Sequence, residues 1–520
     1  MMTAEAKLQQ ARENEALVCF DDEKTAATDN TIYHVHKPEA IPEAEKLSSI
    51  PDRKNVSANV PIVTLSPNQI LAQLLPEIPP VDFSKYTGGE EVRAVHHRIY
   101  SVKTVVLTAD RNKWGLCKRH GSVYVYTGSH WQRIDADDMK AFLGEAAHLS
   151  GVPRFRSDDY KFRDDLQKQF HSEAHLKQPV TNGNETLINL QNGTFCITAE
   201  DQSLRDHARA DFLTHLLPFE YKQGMEAPMF QAFLDKVLPD RDSQRVLAEF
   251  VGYIFTRKLK LEKALLLHGG GSNGKSVFFE VLTAMLGSEN TCSYSLSSLT
   301  DSRSAYYRAM LADKLVNYTS EVEGKLEASL FKQIVSCEPV EARLPYGKPF
   351  ILTDYAKLIF NANNLPKDVE HTHAFFRRFL IIPFTVTIPE DEADVKLASK
   401  IIDEELSGVF NWALDGLQRV LMQSGFSECK AARQAIDQYK RESDSVKMYV
   451  EEHDLVCSLD GFETLKDLFQ GYKRFCDDDG YRTLGKQNFS KRLELCGFVK
   501  SKRNFAWGFD CKRQPQTAPF

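Results

Sequence analysis

The 520-residue sequence lacks three features, each of which would have placed the protein in a narrow class. No apolar run approaches the ~18 residues that a membrane-spanning helix needs. The first twenty residues lack the basic start and apolar core of a secretory signal. The ten cysteines are scattered singly with no C-x-x-C pair, which argues against a zinc ribbon and a disulfide framework. We therefore expect a cytoplasmic protein with reduced cysteines and no membrane partner.

The sequence also has little excess charge of one sign. A net charge of −7 and a hydrophobic content of 42% fit a chain of several domains. This balance argues weakly against indiscriminate nucleic-acid binding, although a chain average can hide a basic strip. Residues 481–520 are such a strip, with nine lysines and arginines against two acidic side chains.

The first part of the chain has no sustained periodicity. Residues 1–88 are polar and contain eight prolines between Pro38 and Pro80, which predicts a disordered tail or linker. We interpret the short apolar patch Ile70–Leu75 as a transient helix. Strand-like character begins near residue 90, and the stretch Leu187–Phe195 predicts a hairpin with Asn192-Gly193 at its turn.

The stretch Ala264–Leu286, ALLLHGGGSNGKSVFFEVLTAML, predicts a buried strand, a glycine loop and a helix. It contains the pattern G-x-x-x-x-G-K-[ST], whose backbone N–H groups and lysine surround nucleotide phosphates while the hydroxyl holds Mg²⁺. The helix N-terminus adds a favourable dipole. The predicted ATP-binding residues are Gly269, Gly270, Gly271, Ser272, Asn273, Gly274, Lys275 and Ser276.

Three later stretches bear on what the nucleotide is used for. The strand-like KLVNYTSE ends in Glu321, a candidate to polarise the attacking water and, with Ser276, to hold Mg²⁺. Asn363 follows the strand-like KLIFN and could position water, although for this stretch alone ordinary turn chemistry before a proline is the preferred interpretation. Arg377 and Arg378 precede an apolar strand, and alone they would be interpreted as solvated.

Taken together and in this order, these pieces resemble superfamily 3 helicases, in the branch that forms the helicase half of phage, plasmid and poxvirus primase-helicases. The resemblance makes Gly269–Ser276 the Walker A loop, Glu321 the Walker B acid, Asn363 the sensor 1 residue, and Arg377-Arg378 the arginine-finger pair. The implied catalytic residues are Glu321, Asn363, Arg377 and Arg378.

The same resemblance extends to segments that would contact DNA. The segment LFKQIVSCEPVEAR looks like the family's B′ motif, with Lys332 and Arg343 in place and Ser336-Cys337-Glu338 where relatives have Gly-Gly-Asp. Lys348 would lie at the tip of the next hairpin. The resemblance implies a hexameric AAA+ ring that moves along single-stranded or forked DNA. The first 88 residues are too short and irregular for a primase domain, so any priming is expected from a separate primase chain.

The expected fold is α/β, with an AAA+-like P-loop ATPase core at 251–428. A preceding α+β and helical domain is expected at 89–250, and a winged-helix-like domain at 429–520. In that last domain we expect helices near Val446–Val450, Leu465–Phe475 and Phe489–Leu495, and strands at Phe498 and Phe505-Ala-Trp507 whose aromatics form its core. Its basic charge favours DNA contacts.

The predicted function is an ATP-dependent DNA helicase that replicates a mobile element. Two other classes stay open: an initiator ATPase that recognises origin DNA, and an AAA+ remodeller or defence ATPase that acts on protein. A small-molecule kinase is the least favoured class, because it would leave the paired arginines and the basic C-terminal strip without a role.

Overall fold

We analysed a computed structural model of the chain, which describes residues 65–119, 122–174, 185–320, 322, 326–344, 349–366, 369–503 and 506–514. Within these ranges the protein is a mixed α/β structure with a parallel sheet of five strands. No helix in the described ranges is both long enough and apolar enough to cross a membrane.

The N-terminal part packs helices against a small antiparallel sheet of order β1-β2-β3. Its elements are α1 (Pro67–Leu74), α2 (Ala94–Arg111), β1 (Leu116–Arg119), β2 (Ser122–Tyr126), β3 (Trp131–Ile134), α3 (Ala136–Leu149), α4 (Arg154–Ser157) and α5 (Tyr160–Glu173). The strand character expected from residue 90 therefore begins only at β1, because an 18-residue helix precedes it.

Residues 65–88 are folded, which corrects the prediction that all of 1–88 is a tail. Ser66 caps α1 in a capping box: its side chain accepts from Gln69 N–H and the Gln69 side chain accepts from Ser66 N–H. Ile70, Leu71 and Leu74 are buried in the same core as α2 and α3. The apolar patch is thus a packed helix, because one face of it completes this core. Residues 1–64 lie outside the described ranges.

A second antiparallel sheet leads into the central part of the chain. It contains β4 (Thr186–Leu190), β5 (Gly193–Ile197) and β6 (Gln202–Arg205). The β4–β5 pairing confirms the predicted hairpin, with Leu190 opposite Gly193. Helices α6 (Pro228–Val237) and α7 (Arg241–Tyr253) come next.

The central sheet is parallel throughout, in the order β13-β7-β12-β9-β8. Side chains of β7 alternate between two cores: Leu265 and Leu267 face one, and Ala264 and Leu266 face the other. Both faces of the sheet are therefore covered, as parallel sheets require. Its strands are β7 (Ala264–His268), β8 (Thr291–Cys292), β9 (Val316–Thr319), β12 (Lys357–Ala362) and β13 (Phe379–Pro383).

Helices and a short antiparallel pair surround this sheet. The pair consists of β10 (Val340–Ala342) and β11 (Phe350–Leu352). The helices are α8 (Lys275–Leu286), α9 (Leu296–Thr300), α10 (Ala305–Ala309), α11 (Ala328–Val335), α12 (His373–Phe376) and α13 (Leu397–Gln423).

The C-terminal part contains the three predicted helices and two small sheets, β14-β18 and β15-β17-β16. Its elements are α14 (Lys430–Glu442), α15 (Ser445–Glu452), β14 (Leu455–Cys457), β15 (Glu463–Thr464), α16 (Leu465–Asp478), α17 (Lys486–Leu495), β16 (Lys500–Arg503), β17 (Ala506–Phe509) and β18 (Cys511–Arg513).

The aromatic residues of this part divide into two groups. Phe498 and Phe509 are buried, as predicted for core residues, although Phe498 precedes β16 and is not in a strand. Trp507 is 55% exposed, so the prediction that it belongs to the core is wrong. The reason is its place near the turn of the β16–β17 hairpin, opposite Lys502. Phe505 lies outside the described ranges.

Two histidines, His130 and His215, are buried. His215 is 2% exposed, and neither ring nitrogen has a hydrogen-bond partner among the described residues. Burial lowers the pKa of His215 to about 3, with the charges of Arg257 and His130 acting in the same direction. Burial likewise lowers the pKa of His130 to about 4, aided by His207. Both imidazoles are neutral in the folded protein at neutral pH.

The histidine burial predicts an acid-sensitive fold. The unfolded chain binds a proton at each histidine below about pH 6.5 while the folded protein does not, so stability falls as pH drops through that value. From pH 7 to pH 5, His215 alone should cost about 2 kcal/mol of unfolding free energy. Between pH 7 and pH 5, the unfolding free energy of the His215→Leu variant, measured by urea titration, should fall by about 2 kcal/mol less than that of wild type. The unfolding free energy of the exposed His373→Leu control should fall as much as that of wild type. An equal loss in both variants would contradict the burial argument.

Candidate nucleotide-binding site

Residues 269–274 form a loop at the carboxyl edge of the parallel sheet. β7 ends at His268 and α8 begins at Lys275, so the loop connects a buried strand to a helix N-terminus. His268, the residue before the loop, pairs with Ala362 of β12 and with Pro383 of β13. This strand–loop–helix arrangement matches the one predicted from the sequence.

The loop takes its shape from close approaches that only glycine permits. A Cβ atom on Gly269 would lie 2.1 Å from the Phe384 carbonyl oxygen. Gly274 has a φ of +84° and a Cβ atom there would lie 2.8 Å from Phe233. Asn273 donates from Nδ2 to the Phe384 carbonyl oxygen at 3.0 Å. The segment after β13 therefore holds the loop against the sheet.

Lys275 turns back into the loop. Its Nζ atom donates to the carbonyl oxygens of Gly269 (2.7 Å) and Gly270 (2.9 Å), and to Asn273 Oδ1 (2.8 Å). The residue is 6% exposed, and burial lowers the pKa of its ammonium group. The carbonyl and amide oxygens around Nζ favour its charged form. A cation is thus held inside the turn.

The backbone of the loop offers hydrogen-bond donors. None of the described residues accepts a hydrogen bond from the backbone N–H groups of 270–275. These donors, the Lys275 ammonium and the positive end of the α8 dipole converge on one region. Such a cradle suits an anionic group, and phosphate is the group that loops of this kind bind. Ser276, the second residue of α8, is exposed beside it.

The strands beside β7 bring further polar groups to the same edge. Asn363 comes directly after β12 and is exposed next to the loop strand. Asn361, inside β12, accepts a hydrogen bond from Tyr318 Oη at 3.0 Å, which fixes it to β9. β9 ends at Thr319 on this edge, and Glu321, two residues later, lies outside the described ranges.

His268 is a residue of this region that motif matching missed. It is the last residue of β7, and burial lowers the pKa of its imidazole. A hydrogen bond with the Asn363 backbone and the Glu442 carboxylate oppose that shift, while the charge of Lys275 adds to it. His268 therefore lies between the loop lysine and the Asn363 segment. The sequence feature that could have identified His268 is its position at the end of β7, directly before the loop.

The two arginines lie at the other edge of the sheet. They precede β13, whose first residue Phe379 pairs with Ala264, the first residue of β7. The loop begins after the last residue of β7, so four strand steps, about 13 Å, separate the two ends.

The structure also distinguishes the arginines from each other. The side chain of Arg377 is 45% exposed and pairs with Glu262 at 2.6 Å. Arg378 is 9% exposed, and its guanidinium donates to Ser336 Oγ (2.9 and 3.1 Å) and to the Ala374 carbonyl oxygen. Arg377 can reach another molecule, whereas Arg378 is part of the interior.

The predicted DNA-contacting residues lie around the β10–β11 pair. Lys332, on α11, donates to both carboxylate oxygens of Glu370 at 2.9 and 3.2 Å, so it is engaged within the chain. Arg343 comes directly after β10 and is exposed. Lys348 falls between β10 and β11 and lies outside the described ranges, so its predicted place at the turn stays a prediction.

The turn between α11 and β10 connects these elements to the arginines. Its residue Cys337 has a φ of +51°, a conformation natural for the glycine that relatives are expected to have there. Lys260 Nζ donates to its carbonyl oxygen at 2.7 Å, and Lys357 Nζ lies 3.1 Å from its Sγ atom. Since Ser336 of the same turn binds Arg378, the base of the β10–β11 pair is tied to the arginine segment.

The metal prediction rests on two residues, Ser276 and Glu321. In the described ranges no group of three or more histidine, cysteine, aspartate or glutamate side chains could hold a metal ion. The Ser276 hydroxyl at the helix N-terminus suits a Mg²⁺ ion that is held mainly by phosphate oxygens and water.

Two family descriptions match parts of the chain. Residues 267–378 match a family of unknown function (DUF5906), and residues 100–239 match a family described as D5 N terminal like. The first match runs from the end of β7 to Arg378, so it includes the loop, Glu321, Asn363 and both arginines.

A relative and two solved structures are also similar to the chain. "Putative helicase L207/L206" of Acanthamoeba polyphaga mimivirus is 24% identical over 279 residues, covering 51% of this chain and 29% of that protein. The chain thus spans less than a third of that relative's length.

The A form apo structure of the NrS-1 C terminal region has a TM-score of 0.44 at 12% identity. The apo structure of residues 305–718 of that region has a TM-score of 0.43 at 13% identity. Each alignment covers 80% of this chain and 99% of the solved chain.

The loop geometry predicts that two adjacent glycines differ in their tolerance of alanine. Gly269→Ala should push the loop away from Phe384 and lower the unfolding free energy by ~1–3 kcal/mol, the usual cost of forced overpacking. Gly270→Ala should stay within about 0.5 kcal/mol of wild type, because a Cβ atom there meets nothing within 4 Å. Urea unfolding of both variants measures the difference. Equal stabilities would mean that the loop does not lie against Phe384.

Proposed function

We propose that the protein is an ATP-dependent DNA helicase of the superfamily 3 type that serves replication of a phage, plasmid or other mobile element. The observation that carries this proposal is the placement of the glycine–lysine loop and an exposed arginine at opposite edges of one parallel sheet. The helicase-named relative and the D5 N terminal match support the choice of DNA as the substrate.

ATP would bind at the carboxyl edge of the sheet. Lys275 and the free N–H groups of 270–275 would hold its phosphates, and Ser276 with Glu321 would hold Mg²⁺, which supplies charge neutralisation for phosphoryl transfer. Asn363 would orient the attacking water from the end of β12, and Asn361 keeps that strand end attached to β9 through Tyr318.

Arg377 would complete a site on a neighbouring subunit. About 13 Å of strand separates the arginine edge from the loop of the same chain, so Arg377 cannot serve its own loop without refolding β13. In a ring, the arginine edge of one chain faces the loop edge of the next. An arginine delivered in this way stabilises transition-state charge and makes hydrolysis depend on assembly. A homo-hexamer is the assembly we propose.

The β10–β11 pair would carry the motion to DNA. Arg378 holds Ser336, and the turn that contains Ser336 ends at the base of β10. A shift of the arginine segment on hydrolysis would therefore move the pair, with Arg343 and Lys348 as the DNA contacts. Lys332 contributes less directly, because its ammonium is paired with Glu370.

Replacing the loop lysine should abolish the activity. Lys275→Ala removes the only side-chain cation among loop residues 269–276 and should lower ATP hydrolysis to background, with and without single-stranded DNA. The exposed Lys430→Ala variant is the control and should keep wild-type turnover. Full hydrolysis by Lys275→Ala would contradict the phosphate-binding assignment. If the wild-type protein hydrolyses ATP at the same rate with and without DNA and unwinds no forked duplex, the helicase proposal is wrong.

The two arginines should give different phenotypes. Arg377→Ala should keep wild-type stability and ATP affinity while turnover falls about a thousandfold or more, whereas Arg378→Ala should lower the unfolding temperature because Ser336 and Ala374 lose a buried partner.

A mixing experiment tests whether the arginine acts between chains. Arg377→Ala and Lys275→Ala protein should each be inactive alone, and their mixture should regain hydrolysis, since junctions that pair an intact loop with an intact arginine form only in the mixture. Differently tagged chains confirm co-assembly by pull-down. Co-assembly without regained hydrolysis would show that Arg377 does not act on a neighbouring site.

A further inference from the structure

Trp507 differs from the other tryptophans in its exposure. Its side chain is 55% exposed, whereas Trp131 is 2% exposed and Trp114 and Trp412 are half-buried. The core of the C-terminal part is filled by other residues, among them Phe498 and Phe509. Trp507 is therefore not needed to close that core, and most of its indole faces solvent.

The ammonium groups of two lysines lie over the Trp507 ring. Lys502 is directly opposite it across the β16–β17 pair, and Lys500 is two residues along on the same strand face. Their Nζ atoms are 5.8 Å and 5.7 Å from the ring centroid. Lys500 also lies 3.7 Å from Glu494, while Lys502 contacts no carboxylate within the described part of the chain.

Asp510, which directly follows β17, is already paired with a cation. Asp510 accepts from Arg503 at 2.6 Å and from Ser501 at 2.8 Å. Arg503 also donates to the Leu459 carbonyl oxygen, which holds it beside the hairpin. The exposed side of the hairpin thus carries an aromatic ring with two cations over it, and the described residues of β16 and β17 include no carboxylate.

We propose that Trp507, Lys500 and Lys502 form a stacking platform for single-stranded DNA on the β16–β17 hairpin. A base would stack on the indole, and the adjoining phosphates would bind the two ammonium groups. Single-stranded DNA is the favoured occupant because a duplex already covers the base faces by stacking, while the local excess of positive charge disfavours an ordinary protein surface. The inference deepens the proposed function, and its choice of DNA rests on that function.

Tryptophan fluorescence of the full-length protein tests the platform, because stacking on a base quenches an indole. The probe is a 20-nucleotide oligo(dT), added without ATP. Wild-type fluorescence should be quenched, Trp507→Phe should lose most of that quenching, and the half-buried Trp114→Phe control should keep it. Trp507→Ala should weaken binding by about tenfold. Lys502→Gln should lower the slope of log affinity against log salt by ~0.7.

Thermal unfolding of each variant shows whether it is folded, and the exposure of Trp507 predicts wild-type melting. The platform is overturned if wild type does not bind oligo(dT), if Trp507→Phe is quenched like wild type, or if only a blunt duplex causes quenching. If DNA stimulates ATP hydrolysis but Trp507→Phe is quenched like wild type, the platform proposal is wrong and the helicase proposal stands. Quenching that requires Trp507, with no hydrolysis by wild type, would overturn the helicase and leave the platform.

Discussion

The parallel pairing of β7 with β13 is the constraint on which the rest of the site depends. Both strands run in the same direction and in register from Ala264 and Phe379, so the segment before β13 and the loop after β7 must lie at opposite edges. The loop lysine is therefore at one edge and the exposed Arg377 at the other. A single chain keeps the two charges apart, so the contact that we propose between Arg377 and a bound phosphate would need a second chain. The dependence of hydrolysis on assembly that we propose is a consequence of strand direction alone.

The buried contacts of Arg378 give the same sheet a mechanical connection. Its guanidinium binds Ser336, and the turn that contains Ser336 is further held by Lys260 and Lys357. This turn leads directly into β10. In the function that we propose, a shift at the arginine edge would be transmitted to the β10–β11 pair through these hydrogen bonds. Such contacts move as a unit because each leaves an unpaired polar group if it breaks.

Local patterns were sufficient to predict the elements of the site. The glycine–lysine motif and its apolar strand predicted β7, the loop and α8, and the spacing of Asn192-Gly193 predicted the β4–β5 hairpin. The failures were non-local. In the sequence, residues 67–74 look like part of a polar tail. Only the fold shows that Ile70 and Leu74 are buried in a core formed with α2 and α3. The different roles of Arg377 and Arg378 depend on Ser336, forty-two residues earlier in the chain. The exposure of Trp507 depends on its place near the turn of the β16–β17 hairpin, opposite Lys502. Glu321 and Lys348 stay predictions, since they lie outside the described ranges.

The dependence of turnover on protein concentration tests the central claim most directly. ATP hydrolysis per chain would be measured across a dilution series while the assembly state is tracked in the same samples by mass photometry. The account predicts that hydrolysis per chain rises with the assembled fraction and vanishes in the monomer, because Arg377 lies at the opposite edge of the sheet from the loop of its own chain. Constant hydrolysis per chain in samples that are monomeric would show that one chain holds a complete site, and would contradict the proposed division of the site between two edges.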